Sequence, residues 1–188
     1  CGAQEIDFLY PFPMYPLGPS TDTLEICILG DMMMHTAQIE NARKNGPEYD
    51  FSSYFRFLED RIRHADIAVA NMEFTLAGEP YSGYPAFSAP DEYAKYLSKL
   101  GIDVFLTANN HIFDKGAAGA KRTIDMFREL GVKMTGIAED QKMHDEAFPL
   151  IMECKGASIA MMNVTYGTNA GTGKEWPKTM KLSEKEAM

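Results

Sequence analysis

Short apolar runs alternate along the chain with segments whose apolar residues recur at helical spacing. The apolar runs predict strands at residues 24–29, 67–70, 104–106 and 132–135. The segments between them predict helices at residues 51–65, 90–100 and 117–130. This alternation is typical of an α/β fold in which the repeated units build a parallel sheet.

Local signals mark the ends of several elements. Pro90 and Asp91 favour the first turn of a helix, and Gly101 favours its end. A Lys155-Gly156 turn predicts a hairpin because it joins two further apolar runs, residues 148–153 and 158–164.

Polar side chains follow three of the predicted strands directly. In open α/β sheets, ligands bind beyond the carboxyl ends of the strands, so these loops are the candidate site. Their candidate side chains are Asp31 and His35, then Asn71 and Glu73, then Asn109, Asn110, His111 and Asp114. Each loop alone also fits a helix cap or a solvated surface. Together they offer oxygen and imidazole ligands suited to Mn²⁺, Zn²⁺, Fe or Mg²⁺, as in a two-metal hydrolase.

Composition narrows the class of protein. The 188 residues are 45% hydrophobic and 24% charged, which is ordinary for one folded domain. No apolar run approaches the roughly 18 residues that a membrane-spanning helix needs. Acidic residues outnumber basic ones 27 to 18, for a net charge of −9. That balance argues against nucleic acid as a partner and fits the binding of hard cations.

The two ends of the chain carry separate expectations. The chain begins at Cys1, as a mature bacterial lipoprotein with lipid on that cysteine would; an arbitrary starting point is the alternative. Residues 1–22 contain four prolines between positions 4 and 19 and predict an extended tether, followed by one domain over 23–188. The final "KLSEKEAM" has the composition of a helix start, so we expect the domain to continue beyond residue 188.

Two other features of the sequence resemble functional motifs. Residues 167–174, "GTNAGTGK", lack the spacing of a phosphate-binding loop, and Glu175 stands where Ser or Thr would hold Mg²⁺, so we expect a flexible connector. Cys27 lies in a predicted strand and Cys154 directly after one; we expect both to be buried thiols, and a disulfide between them stays open.

Three stretches of the sequence resemble a known family. "GDMMMH", "ADIAVANMEFTLAG" and "ANNH" followed by Asp114 and Gly116 are similar to the CapA family, over about residues 24–165. These proteins are associated with poly-γ-glutamate capsule synthesis and are distant relatives of calcineurin-like metallophosphatases. The resemblance implies a metallophosphatase-like sandwich, with helices outside two sheets, and a two-metal site in the complete protein.

The same resemblance implies a role for each candidate residue. Asp31 and His35 would be metal ligands, Glu73 would bridge two metals, and Asn110 would offer its amide oxygen. His111 would face the substrate as general acid or leaving-group stabiliser. The groups that orient these ligands would be Asn71 and Asp114. Metallophosphatases take further histidine ligands from later in the chain, whereas this sequence has only His144 after His111.

Two functional hypotheses follow from the resemblance. The first is a metal-dependent hydrolase of capsule or other exported polymer metabolism, acting on an anionic polymer or phosphoester. The second is a non-catalytic subunit of the cell envelope that keeps the fold and binds or assembles polymer. Either protein would lie at the membrane through lipid on Cys1, beside other capsule-assembly proteins, and neither would bind nucleic acid.

Overall fold

A computed structural model describes residues 23–44 and 48–182. Its centre is a four-stranded sheet in the order β1-β2-β3-β4. The strands are Ile26–Met32 (β1), Ile67–Met72 (β2), Val104–Leu106 (β3) and Lys133–Thr135 (β4). Every neighbouring pair is parallel. The predicted α/β fold with a parallel sheet is confirmed.

The first strand runs further than its apolar run indicated. Pairing with β2 continues past Leu29, through a register shift, so that Asp31 pairs with Asn71. Backbone pairing does not depend on side-chain polarity, which is why the apolar pattern ended too early. The extension brings the carboxyl ends of β1 and β2 to the same level, with a polar residue on each.

Helices cover the connections between the strands. They are Thr36–Ala42 (α1), Ser52–Phe55 (α2), Glu59–His64 (α3), Asp91–Leu100 (α4), Gly116–Glu129 (α5) and Gln141–Ala147 (α6). The single helix predicted at 51–65 is wrong, because residues 56–58 form a turn in which Phe57 is 80% exposed. Helices α1 and α6, of 7 residues each, were not predicted.

The core lies mainly between the sheet and helices α4 and α5. Phe105 on β3 meets Phe127 on α5 edge to face, with ring centroids 4.8 Å apart. Leu97 on α4 and Ile124 on α5 are fully buried in the same cluster. Helix α4 ends at Gly101, whose φ of 110° is the left-handed conformation that glycine adopts most readily. The predicted boundaries of this helix are confirmed.

A hairpin covers part of the opposite face of the sheet. Its strands Leu150–Cys154 (β6) and Ala157–Met161 (β7) are antiparallel, as predicted. Half-buried residues of both strands pack against a small cluster formed by Ile67, Val69 and Val104. A further antiparallel pair, Ile137–Ala138 (β5) with Lys178–Thr179 (β8), was not predicted. This pair attaches the late segment of the chain to the body of the domain.

The two ends of the chain and the two cysteines carried separate expectations. Cys1, the tether over residues 1–22 and the final residues 183–188 lie outside the described residues. Cys27 and Cys154 are both free and half-buried. Of the helices in the described part of the chain, none has the length and apolar content to cross a membrane.

Candidate functional site

The carboxyl ends of β1 and β2 bring two carboxylates together around one amide. The Asn71 Nδ2 donates to Asp31 Oδ1 at 2.8 Å and to Glu73 Oε2 at 3.1 Å. Asp31 is exposed, whereas Asn71 and Glu73 are half-buried. The amide therefore links two groups of like charge that would otherwise repel each other.

Asn109 determines which way the Asn71 amide points. Asn109 is 5% exposed, and its Nδ2 donates to the Met72 carbonyl at 3.0 Å and to Asn71 Oδ1 at 3.2 Å. Its own Oδ1 accepts a hydrogen bond from the His111 backbone N–H at 3.1 Å. A backbone acceptor, the Met72 carbonyl, and a backbone donor, the His111 N–H, hold the two ends of the Asn109 amide, so its orientation is fixed. The Asn71 oxygen must then face Asn109 and its nitrogen must face the carboxylates.

His111 is oriented by Asp114. The His111 Nδ1 lies 2.7 Å from Asp114 Oδ2, and the same carboxylate oxygen accepts a bond from the Phe87 N–H at 2.8 Å. The His111 ring is buried and meets the Phe87 ring edge to face, at 4.7 Å between centroids. With Nδ1 engaged, Nε2 is the nitrogen that faces the carboxylates, 3.9 Å from Glu73 Oε1. A histidine held in this way can donate or accept a proton at Nε2.

The electrostatics of the site centre on Glu73. Burial raises the pKa of the Glu73 carboxyl above its ordinary range, and the neighbouring Asp31 carboxylate raises it further. The nearby His111 ring opposes this shift only in part. A buried carboxylate beside a second carboxylate favours whatever brings positive charge to the pair.

His35 lies at the rim of the site and touches none of these carboxylates. It is exposed, directly precedes α1 and meets the Phe87 ring edge to face, at 5.1 Å between centroids. Phe87 thus lies between the rings of His35 and His111. The loop residue Phe87 was not predicted as part of the site, and no motif in the sequence marks it.

Asn110 contacts a residue from the late part of the chain. Its carbonyl accepts a bond from the Asn169 N–H at 2.8 Å, and the Asn169 side-chain Nδ2 lies 3.3 Å from His111 Nδ1. Asn169 stands in the segment expected to be a flexible connector. It follows His111 by 58 residues, and its glycine-rich surroundings contain no signal for this contact.

These residues match a divalent cation in chemical type, but not in number. Asp31 and Glu73 share the Asn71 amide, and His111 Nε2 lies 3.9 Å from Glu73 Oε1. Hard or borderline cations prefer carboxylate and imidazole groups of this kind. Within residues 23–44 and 48–182, however, no three His, Cys, Asp or Glu side chains are arranged to hold an ion. Asp31 and Glu73, with the Nε2 of His111, could begin a metal site. The ligand roles of His35 and Asn110 stay predictions.

The fold defines a class of protein. A parallel four-stranded sheet flanked by helices is of the metallophosphatase-like type. The family model for the bacterial capsule synthesis protein PGA_cap matches residues 25–188, so the chain belongs to that family. The predicted CapA family is confirmed.

One curated relative supports the same assignment. Capsule biosynthesis protein CapA of Bacillus anthracis is 27% identical over 170 residues, which cover 86% of this chain. The match covers 40% of the relative, so the chain spans less than half of that protein's length.

Proposed function

We propose that this protein acts in the metabolism of a capsule or another exported polymer, as a divalent-cation-dependent hydrolase of phosphoester type. The observation that carries the proposal is the convergence of the Asp31–Glu73 pair with the oriented His111. Family membership and the name of the Bacillus anthracis relative support the link to capsule biosynthesis.

Each side chain has a definite task in this proposal. Asp31 and Glu73 would hold the cation, which when bound supplies an activated water and positive charge beside the phosphoryl oxygens. Asp114 keeps the imidazole of His111 oriented, so that Nε2 delivers a proton to the leaving oxygen. The Asn71 amide holds the two carboxylates in place before a cation arrives.

A non-catalytic role is the second candidate, and one observation favours it. The Asn71 nitrogen already lies between the carboxylates, where it donates to both. An amide in that position holds the pair together without any ion. A protein that binds or assembles polymer at the envelope, without hydrolysing it, would not need a cation at this pair of carboxylates.

The cell envelope is the location that we propose for either role. The name of the relative supports it, and lipid on Cys1 followed by a tether over residues 1–22 would hold the domain at a membrane. Other capsule-assembly proteins would then be its neighbours. Mass spectrometry of the mature protein from bacterial membranes tests the lipid directly: an unmodified Cys1 would contradict this anchorage.

Turnover of a small phosphodiester with and without Mn²⁺ separates the two roles. We expect Mn²⁺-dependent hydrolysis, a loss of about 10²- to 10⁴-fold in kcat for His111→Ala, and loss of Mn²⁺ dependence for Glu73→Ala. His64→Ala serves as the matched control, because His64 is exposed and lies on α3, away from the site. If the protein purifies without bound metal and shows no turnover at any concentration of added Mn²⁺, the result would support the non-catalytic role instead.

A further inference from the structure

A surface cleft of about 340 Å³ lies next to the candidate site, and lysines line it. Lys174, Lys178 and Lys181 contribute to its wall, together with Phe113, which follows His111 by two residues. We call this feature the lysine cleft. The candidate site does not use any of its three lysines.

The lysine cleft reverses the charge of the protein locally. Residues 167–182 contain three lysines and one glutamate, a formal net charge of +2, whereas the whole chain carries −9. The lysines are exposed, and only Lys178 approaches the glutamate, with Lys178 Nζ 3.7 Å from Glu175 Oε1. A basic cleft on an acidic protein attracts anions to that one place.

Backbone contacts hold the lysine cleft in a fixed relation to His111. At one end of the segment, Asn169 bonds to the Asn110 carbonyl and its side chain lies beside the His111 ring. At the other end, β8 pairs with β5, and the Met180 N–H donates to the Gly136 carbonyl at 2.8 Å. A chain bound in the cleft would therefore approach His111 in a defined direction.

We propose that the lysine cleft binds a stretch of an anionic polymer whose neighbouring unit lies at the candidate site. The placement of the neighbouring unit at the candidate site rests on the proposed function. Binding of the polymer in the lysine cleft does not. Lysine is a compact charge on a flexible stem, so three lysines around one cleft suit repeated carboxylates or phosphates without demanding one bonding geometry. The positive charge of these lysines also offsets the repulsion between a polyanion and the carboxylates of the site.

The chain contains its own reporter for such binding. Trp176 is the single tryptophan, and the Lys178 ammonium lies 4.4 Å from the centroid of its ring. An anion that draws Lys178 away from the ring changes the surroundings of the indole. We expect the fluorescence of Trp176 to change on titration with an anionic polymer and to stay unchanged with neutral dextran.

Calorimetric titration tests which residues bind the polymer. The probes are poly-γ-glutamate, polyphosphate of similar chain length, and dextran. For the triple variant Lys174→Gln, Lys178→Gln and Lys181→Gln, we expect Kd to rise about tenfold, since exposed charge pairs are individually weak. The corresponding Lys→Arg triple should keep the affinity of the wild type.

A matched variant controls for the change in net charge. Lys95→Gln, Lys99→Gln and Lys142→Gln remove the same charge from exposed positions on α4 and α6, and should leave Kd unchanged. Equal losses in both glutamine triples, or equal binding of dextran, would overturn the proposal. Tighter binding of one polyanion than the other supports the proposal and identifies carboxylate or phosphate as the ligand group.

The same preparations separate this inference from the proposed function. Polymer binding that weakens only in the variant lacking Lys174, Lys178 and Lys181, without hydrolysis of a small phosphodiester, would support the lysine cleft and contradict the hydrolase. Hydrolysis with equal affinities in all variants would support the hydrolase and contradict the cleft.

Discussion

Replacing Glu73 by Gln should stabilise the cation-free protein while abolishing its response to cations. The Glu73 side chain is only 13% exposed and lies beside Asp31, which raises its pKa. In the variant, the Gln oxygen can keep the bond from Asn71, and its nitrogen can donate to Asp31 in place of repulsion. One hydrogen bond gained is worth about 1 kcal/mol. For a chain of this size, that corresponds to a Tm higher by about 2–4 °C.

The effect should depend on pH in one direction. The pKa of Glu73 is raised in the folded state. Its negative charge therefore lowers the free energy of unfolding, and the full loss is present above that raised pKa. The cost disappears as pH falls toward the ordinary glutamate pKa of about 4.3. Thermal unfolding in chelator should therefore show the gain at pH 8 and a smaller gain at pH 5. Glu129→Gln, an exposed change on α5, should show neither.

Added Mn²⁺ should reverse the order of stability. A cation at a hundredfold excess over its Kd stabilises the wild type by about 2.7 kcal/mol. The variant gains less, because it has lost one of the two carboxylates that would hold the cation. A Glu73→Gln variant that melts below the wild type in chelator at pH 8 would contradict the expected gain. A gain of the same size at pH 5 and pH 8 would assign the effect to packing rather than charge.

Two further substitutions test how the site is held together. Gly83→Ala would place a Cβ 2.5 Å from the Thr36 backbone nitrogen. We expect the free energy of unfolding in urea to fall by about 1–3 kcal/mol. An unchanged midpoint would mean that the loop around Gly83 shifts to make room at no cost. Asn109→Ala leaves the Met72 carbonyl and the His111 N–H without their partner, at a cost of about 1–3 kcal/mol. It also frees the Asn71 amide to turn, so the affinity for Mn²⁺ should change; an unchanged affinity would show that Asn109 only supports the fold.

Local patterns were sufficient for the elements whose signals lie within a few residues. The apolar run at 104–106 became β3 with the same bounds. The signals at Pro90 and Gly101 placed both ends of α4 correctly. The prediction of a single helix over residues 51–65 was wrong because the same apolar spacing also fits two short helices around a turn. Only packing decides between the two arrangements.

The sequence by itself determined that several candidate side chains come together at one edge of the sheet. Parallel strands meet at one edge of a sheet, so side chains that directly follow β1, β2 and β3 had to come close together. Asp31, Glu73 and His111 were predicted to lie in one region on this ground, and the structure brings them together. The orienting roles of Asn71 and Asp114 were implied by the family resemblance.

Only the tertiary structure decided what surrounds that centre. Asn169 reaches His111 from 58 residues away, and Phe87 joins from a loop. The lysine cleft exists because β8 pairs with β5. The spacing of residues along the chain contains no information on such contacts, because they depend on how separate segments pack after the sheet has formed.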